Sequence, residues 1–138
     1  MTKDTQMIYH SHFCKYAYYP EDKLLMGEWT NTDKLTQSIF KDELLKGELY
    51  AIEHCRPVCY LVDASKFWLP ITPDTQRWMA ENISPNYARY GLKKLAFLMS
   101  SEFITQLSIE QTNNTTFVRG VEKKHFEEEQ PALNWLKS

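Results

Sequence analysis

The chain has 138 residues, the size of a single domain that buries one core. A hydrophobic share of 43% with 25% charged residues argues against disorder, and 16 Lys and Arg against 18 Asp and Glu leave a net charge of −2, with no basic field to hold nucleic acid or an anionic membrane. The apolar run 95–99 falls far short of the roughly 20 residues of a membrane span, and the polar stretch 1–6 does not read as a signal peptide, so a cytoplasmic location with free thiols at Cys14, Cys55 and Cys59 is expected.

In chain order, residues 1–7 read as a flexible N-terminus and the aromatic-rich stretch 12–19 as a strand. Pro20, Glu21, Asp22 and Lys23 turn it into a second strand over 24–30, a hairpin. Asn31 or Thr32 caps a long helix whose apolar positions Leu35, Ile39, Leu45, Leu49 and Ile52 make one buried stripe, and Arg56-Pro57 stops it. The apolar run 58–62 has the pattern of a strand buried on both faces.

Thr72-Pro73-Asp74 opens a second helix, with a capping hydroxyl, a proline at the first helical position and an acid against the positive helix end. Trp78, Met79 and Ile83 supply its inner face, Ser84-Pro85 interrupts it, and 92–99 follows as another buried strand. Ser101 caps a third helix carrying Phe103, Ile104 and Leu107, and 113–116 is a loop. A last strand within 117–126 and a closing helix from about residue 127, with Trp135 and Leu136 buried, complete the chain. The expectation is a single α/β domain over 1–138, a mixed sheet of about five strands with helical crossovers in the order β-β-α-β-α-β-α-β-α, and 58–62 and 95–98 central.

That order resembles the STAS fold of anti-sigma-factor antagonists. Val58, Cys59, Tyr60, Leu61, Val62 and Asp63, followed by Phe67 and Trp68, resemble the strand and loop before the regulatory helix of that family. More closely, the chain is similar to bacterial STAS-like proteins described as sporulation-antagonist-like, a group largely without assigned function. Gly91-Leu92-Lys93-Lys94-Leu95-Ala96-Phe97 and Phe126 with Ala132-Leu133-Asn134-Trp135-Leu136 carry that likeness. The resemblance implies a non-catalytic regulatory domain. In its phosphorylatable members an acid, a serine and a small residue open the regulatory helix; an ungapped count from Asp63 puts Thr72 at the serine, between Ile71 and Pro73. Thr72 is therefore read as a helix cap rather than a phosphate acceptor.

Asp63 ends a central strand at the edge where open α/β sheets collect ligands, although Asp-Ala-Ser is also an ordinary turn. With Trp68, Thr72, Asp74 and Trp78 it forms the candidate partner or ligand surface. His10 and His12 lack a third ligand at a recognised spacing, His54 and Cys55 are adjacent and point apart on a helix, and Cys59 reads as a small core hydrophobe. Four scattered glycines make no phosphate loop, and the basic residues Arg89, Lys93, Lys94, Lys123 and Lys124 read as solvated faces. No catalytic, metal or cofactor residue is assigned. The functional expectation is a non-enzymatic regulatory or protein-interaction domain whose partner is another protein or a second copy. The alternative is a small-molecule or lipid-binding domain resembling CRAL-TRIO carriers, with a small apolar ligand.

Overall fold

The computed structural model describes residues 4–99 and 120–138. The chain opens with a strand that the sequence pattern did not announce. β1 (Gln6–His10) pairs antiparallel with β2 (Cys14–Tyr19), Met7 opposite Ala17 and, past a bulge, Tyr9 opposite Tyr16. Gln6 and Met7, expected in a flexible terminus, are thus held by ladder bonds to β2, which a short polar segment acquires wherever an edge strand offers unpaired N–H and C=O groups. His12 and Phe13 belong to the bend before β2, because the Ser11 hydroxyl accepts from the backbone N–H groups of Phe13 and Cys14 at 3.1 and 3.3 Å.

The hairpin forms as expected. Lys23, at φ 50°, donates its N–H to the Pro20 carbonyl at 3.2 Å, and β3 (Leu24–Trp29) returns alongside β2 with Leu24 opposite Tyr19. From β3 onward the pairing is parallel, through β4 (Cys59–Asp63), β5 (Lys94–Leu98) and β6 (Glu122–Phe126). The protein is an α/β fold, and the described residues form a mixed sheet of six strands in sequence order, where about five were expected. β4 and β5 lie inside the sheet, as the two apolar runs predict.

The helix expected over 31–56 is the largest correction. Thr32–Lys34 is a single 3₁₀ turn, and α1 (Gln37–Glu43) starts at Thr36, whose side chain accepts from the Ile39 N–H at 3.1 Å. The helix then widens into a π-turn over Leu44–Leu49 before α2 (Tyr50–Cys55). Leu45, expected in the buried stripe, is 43% exposed, and Leu44, one α-turn after the buried Phe40, is buried in its place.

Thr72 caps α3 (Pro73–Asn82), and the interruption at Ser84-Pro85 separates it from α4 (Ser84–Arg89). The expected third helix with Phe103, Ile104 and Leu107, the loop 113–116 and Val118 lie outside the described residues. The closing helix, α5 (Glu129–Leu136), buries Ala132 and Leu136. Trp135, expected to be buried, is only partly so: its ring meets Phe126 at 5.8 Å and Lys94 at 5.2 Å.

Strand alternation sends successive residues to two cores. Tyr16, Leu25, Trp29, Tyr60, Val62 and Leu95 pack with residues of α1, the π-turn, α2 and α4. Leu24, Leu61, Ala96 and Leu98 pack with Ala132 and Leu136 of α5. Among the described residues no helix is long and apolar enough to cross a membrane.

Candidate functional site

The connection from β4 to α3 carries most of the residues expected at a functional surface. At its start, Asp63 Oδ1 accepts from the Ser65 N–H at 3.1 Å and the Ser65 hydroxyl at 2.6 Å, which makes Asp63 the first residue of a turn. Ala64 N–H donates to the Leu98 carbonyl at 2.9 Å and ties the turn to β5.

Two neighbouring aromatics then part company. Phe67 is buried, with its ring 5.6 Å from Trp29 and 5.3 Å from Phe40, whereas Trp68 is 68% exposed, the most exposed large hydrophobic side chain among the described residues. The backbone between them is pinned by a buried hydroxyl: Thr32 Oγ1 donates to the Lys66 carbonyl at 2.8 Å and accepts from the Trp68 N–H at 3.0 Å. Further along, Gln37 Nε2 donates to the Pro70 carbonyl at 2.7 Å, and Gln37 Oε1 accepts from the Thr72 N–H at 3.4 Å. The loop is anchored at four points to the segment 32–37, and Trp68 is held outward by bonds that do not involve its indole.

Thr72 accepts from the Thr75 N–H at 3.3 Å and donates to the Thr75 hydroxyl at 3.1 Å, so its oxygen is engaged as a cap. Asp74 is exposed and pairs with Arg77 at 3.2 Å. Trp78 is partly buried, with its inner side against the core cluster and Lys41 over its ring at 5.7 Å. Asp63, Trp68, Thr72 and Asp74 lie along one loop and the first turn of the helix that follows.

A second, buried site went unread in the sequence. Glu43 and Glu48 are five residues apart, which on a regular α-helix would set them about 140° apart around the axis. The π-turn brings both toward the sheet. Glu43 accepts from the Tyr9 hydroxyl at 3.1 Å, the Ser11 hydroxyl at 2.5 Å and the Cys14 thiol at 3.1 Å. Glu48 accepts from the Tyr60 hydroxyl at 2.5 Å and the Tyr87 hydroxyl at 2.9 Å. Tyr16 sits in the same seam, fully buried, and its hydroxyl has no hydrogen-bond partner among the described residues.

Burial raises the Glu48 carboxyl above the ordinary glutamate range, opposed by the hydrogen bonds from Tyr60 and Tyr87 and by the positive charge of Lys123. The phenols of Tyr16, Tyr60 and Tyr87 are pushed well up, by burial first and then by the charge of Glu48. Burial and the bond to Glu43 raise the Cys14 thiol, and burial raises Cys55 and Cys59 as well. Proton-donating phenols and unreactive thiols around saturated carboxylates suit a structural network better than nucleophilic chemistry. The signal for it in the sequence was two glutamates inside an otherwise apolar helix stripe, visible only once the π-turn is known.

Elsewhere, His54 stacks on Tyr50 at 3.9 Å and Tyr90 lies between Arg56 and Arg89, at 5.3 and 5.6 Å. Lys94, read as part of a solvated face, instead donates to the Trp135 and Ser138 carbonyls at 3.0 and 2.8 Å and fastens the end of the chain. A groove of about 390 Å³ beside α5 is lined by Asp22, Leu24, Cys59, Leu133, Leu136 and Lys137.

The fold and these two sites define an α/β protein with a mixed sheet, six-stranded among the described residues, an anchored loop at the end of an inner strand and a buried acid–phenol seam. Comparison with models of protein families, with curated proteins and with solved structures finds no match.

Proposed function

We propose that the chain is a non-catalytic protein-interaction domain that engages its partner through the loop between β4 and α3, with Trp68 as the anchor. The observation that carries this reading is an exposed tryptophan on an immobilised backbone: Thr32 and Gln37 hold the loop while the indole stays outside. Tryptophan is enriched among the residues that dominate interface energies, and a loop already ordered loses little entropy on binding. The regulatory part of the reading draws on the resemblance to STAS domains and on the position of the loop before the helix capped by Thr72. A carrier of apolar ligands is less well supported, because the groove beside α5 has Asp22 and Lys137 in its wall and lies away from Trp68 and Trp78.

A photo-crosslinking residue introduced at position 66, beside an intact Trp68, and expressed in the source cells tests the reading, with position 53 on α2 as control. The expected result is a discrete protein adduct from position 66 alone, competed by excess wild-type protein but not by Trp68→Ala. Thr32→Val, which releases the loop without touching the indole, should compete less well than wild type. Equal adducts at both positions, or equal competition by Trp68→Ala, would remove the loop from the interface.

A further inference from the structure

We propose that Glu48 is a proton-binding site, at which the folded protein holds a proton whose release loosens the π-turn from the sheet, making the helix–sheet seam a pH-dependent latch. Three observations carry it independently of the surface loop. Glu48 is 4% exposed and sits on the one widened turn of the helix, facing β2, β4 and α4, with both carboxyl oxygens bonded to phenols. Burial favours its neutral form, against the hydrogen bonds from Tyr60 and Tyr87 and the charge of Lys123. The groups around it are the phenols of Tyr16 on β2, Tyr60 on β4 and Tyr87 on α4 and the ammonium of Lys123 on β6, with the second acid Glu43 and the Cys14 thiol further along the same seam.

The third observation is the Tyr16 hydroxyl. It is fully buried with no hydrogen-bond partner among the described residues, and its ring centroid lies 6.4 Å from that of Tyr60, which in turn lies 6.4 Å from that of Tyr87. A buried hydroxyl with no partner carries a desolvation cost. When Glu48 is ionised, both neighbouring phenols spend their protons on it and none is left to donate to the Tyr16 oxygen. A proton on the Glu48 carboxyl makes it a donor to the Tyr60 oxygen, which releases the Tyr60 hydroxyl to turn toward Tyr16. The proton comes from solvent and returns to it, with no other bond made or broken.

The sign follows from the direction of the Glu48 shift, which burial sets upward. The folded state then binds the proton more tightly than the unfolded chain, so the contribution of Glu48 is greatest below the ordinary glutamate value of about 4.3 and is lost as pH rises through the value in the folded protein. Each unit between the two corresponds to about a tenfold rise in the opening equilibrium of the seam.

Carbon-13 NMR titration of the Glu48 side-chain carboxyl in the full wild-type chain, from about pH 4 to about pH 8, reads the proton directly. The expected midpoint lies above the ordinary value, and amide exchange at Gly47, Glu48 and Leu49, corrected for the intrinsic effect of pH, quickens through the same range. In Glu48→Gln that quickening should vanish. A Glu48 midpoint at or below about 4.3 would overturn the proposal, as would seam protection that follows pH identically in Glu48→Gln. Should Glu48→Gln fail to fold, the wild-type titration and the exchange profile taken together decide.

Discussion

Gly47 of the π-turn lies against the ring of Tyr16 so closely that a Cβ there would stand 2.7 Å from Tyr16 Cε2. The other side of the ring is closed by Gly27, where a Cβ would stand 2.5 Å from Cε1. A fully buried ring between two glycines has nowhere to move. Alanine is the better helix former by about 1 kcal/mol, yet the added methyl overpacks the seam at a cost of about 1–3 kcal/mol. Gly47→Ala should therefore lower the urea midpoint, and an unchanged or raised midpoint would show that the turn can lift off Tyr16 freely.

The buried face of the helix after β3 has a direct test in two adjacent leucines. Leu44 is 3% exposed and Leu45 is 43% exposed. Leu44→Ala should cost about 2–5 kcal/mol, whereas Leu45→Ala should stay within about 0.5 kcal/mol of wild type by denaturant unfolding. The reverse order would put the buried face of the helix on the stripe of Leu45 instead of that of Phe40 and Leu44.

Thr72 serves both the N-terminus of α3 and the buried hydroxyl of Thr75. Thr72→Ala removes a cap and leaves that hydroxyl without its donor, a loss of about 1–2 kcal/mol, while Thr72→Ser keeps the oxygen and should be nearly neutral. Thermal unfolding of the two variants checks the pair; equal losses would mean that the methyl group rather than the oxygen matters.

The three thiols differ in access. Burial raises all of them, but Cys14 is 2% exposed and bonded to Glu43, whereas Cys55 and Cys59 are partly open. Alkylation of the native protein at mildly alkaline pH, mapped by peptide mass spectrometry, should label Cys55 and Cys59 before Cys14, and all three should speed up as pH rises because the thiolate is the nucleophile. Early labelling of Cys14 would show that the seam opens readily.

Local chemistry in the sequence determined a good part of this protein. The turn residues Pro20 and Lys23 mark the hairpin, Thr72-Pro73-Asp74 marks a helix start, and the unbroken apolar run 58–62 marks an inner strand, because capping, fixed φ and two-sided burial each demand particular residue types at that very position. The class of fold follows from the alternation of those elements. What the tertiary structure decided lies where distant segments meet. β1 is a strand because β2 offers it an edge, not because its own residues alternate cleanly. The helix after β3 widens where Tyr16, from another strand, leaves no room beside Gly47, and that widening lets both Glu43 and Glu48 face the sheet. Trp68 and Phe67 are indistinguishable as neighbouring aromatics in the sequence. Their opposite fates were set by the Thr32 hydroxyl, 36 residues from Trp68 in the chain, since only a partner brought in by folding can fix which way a loop presents its side chains.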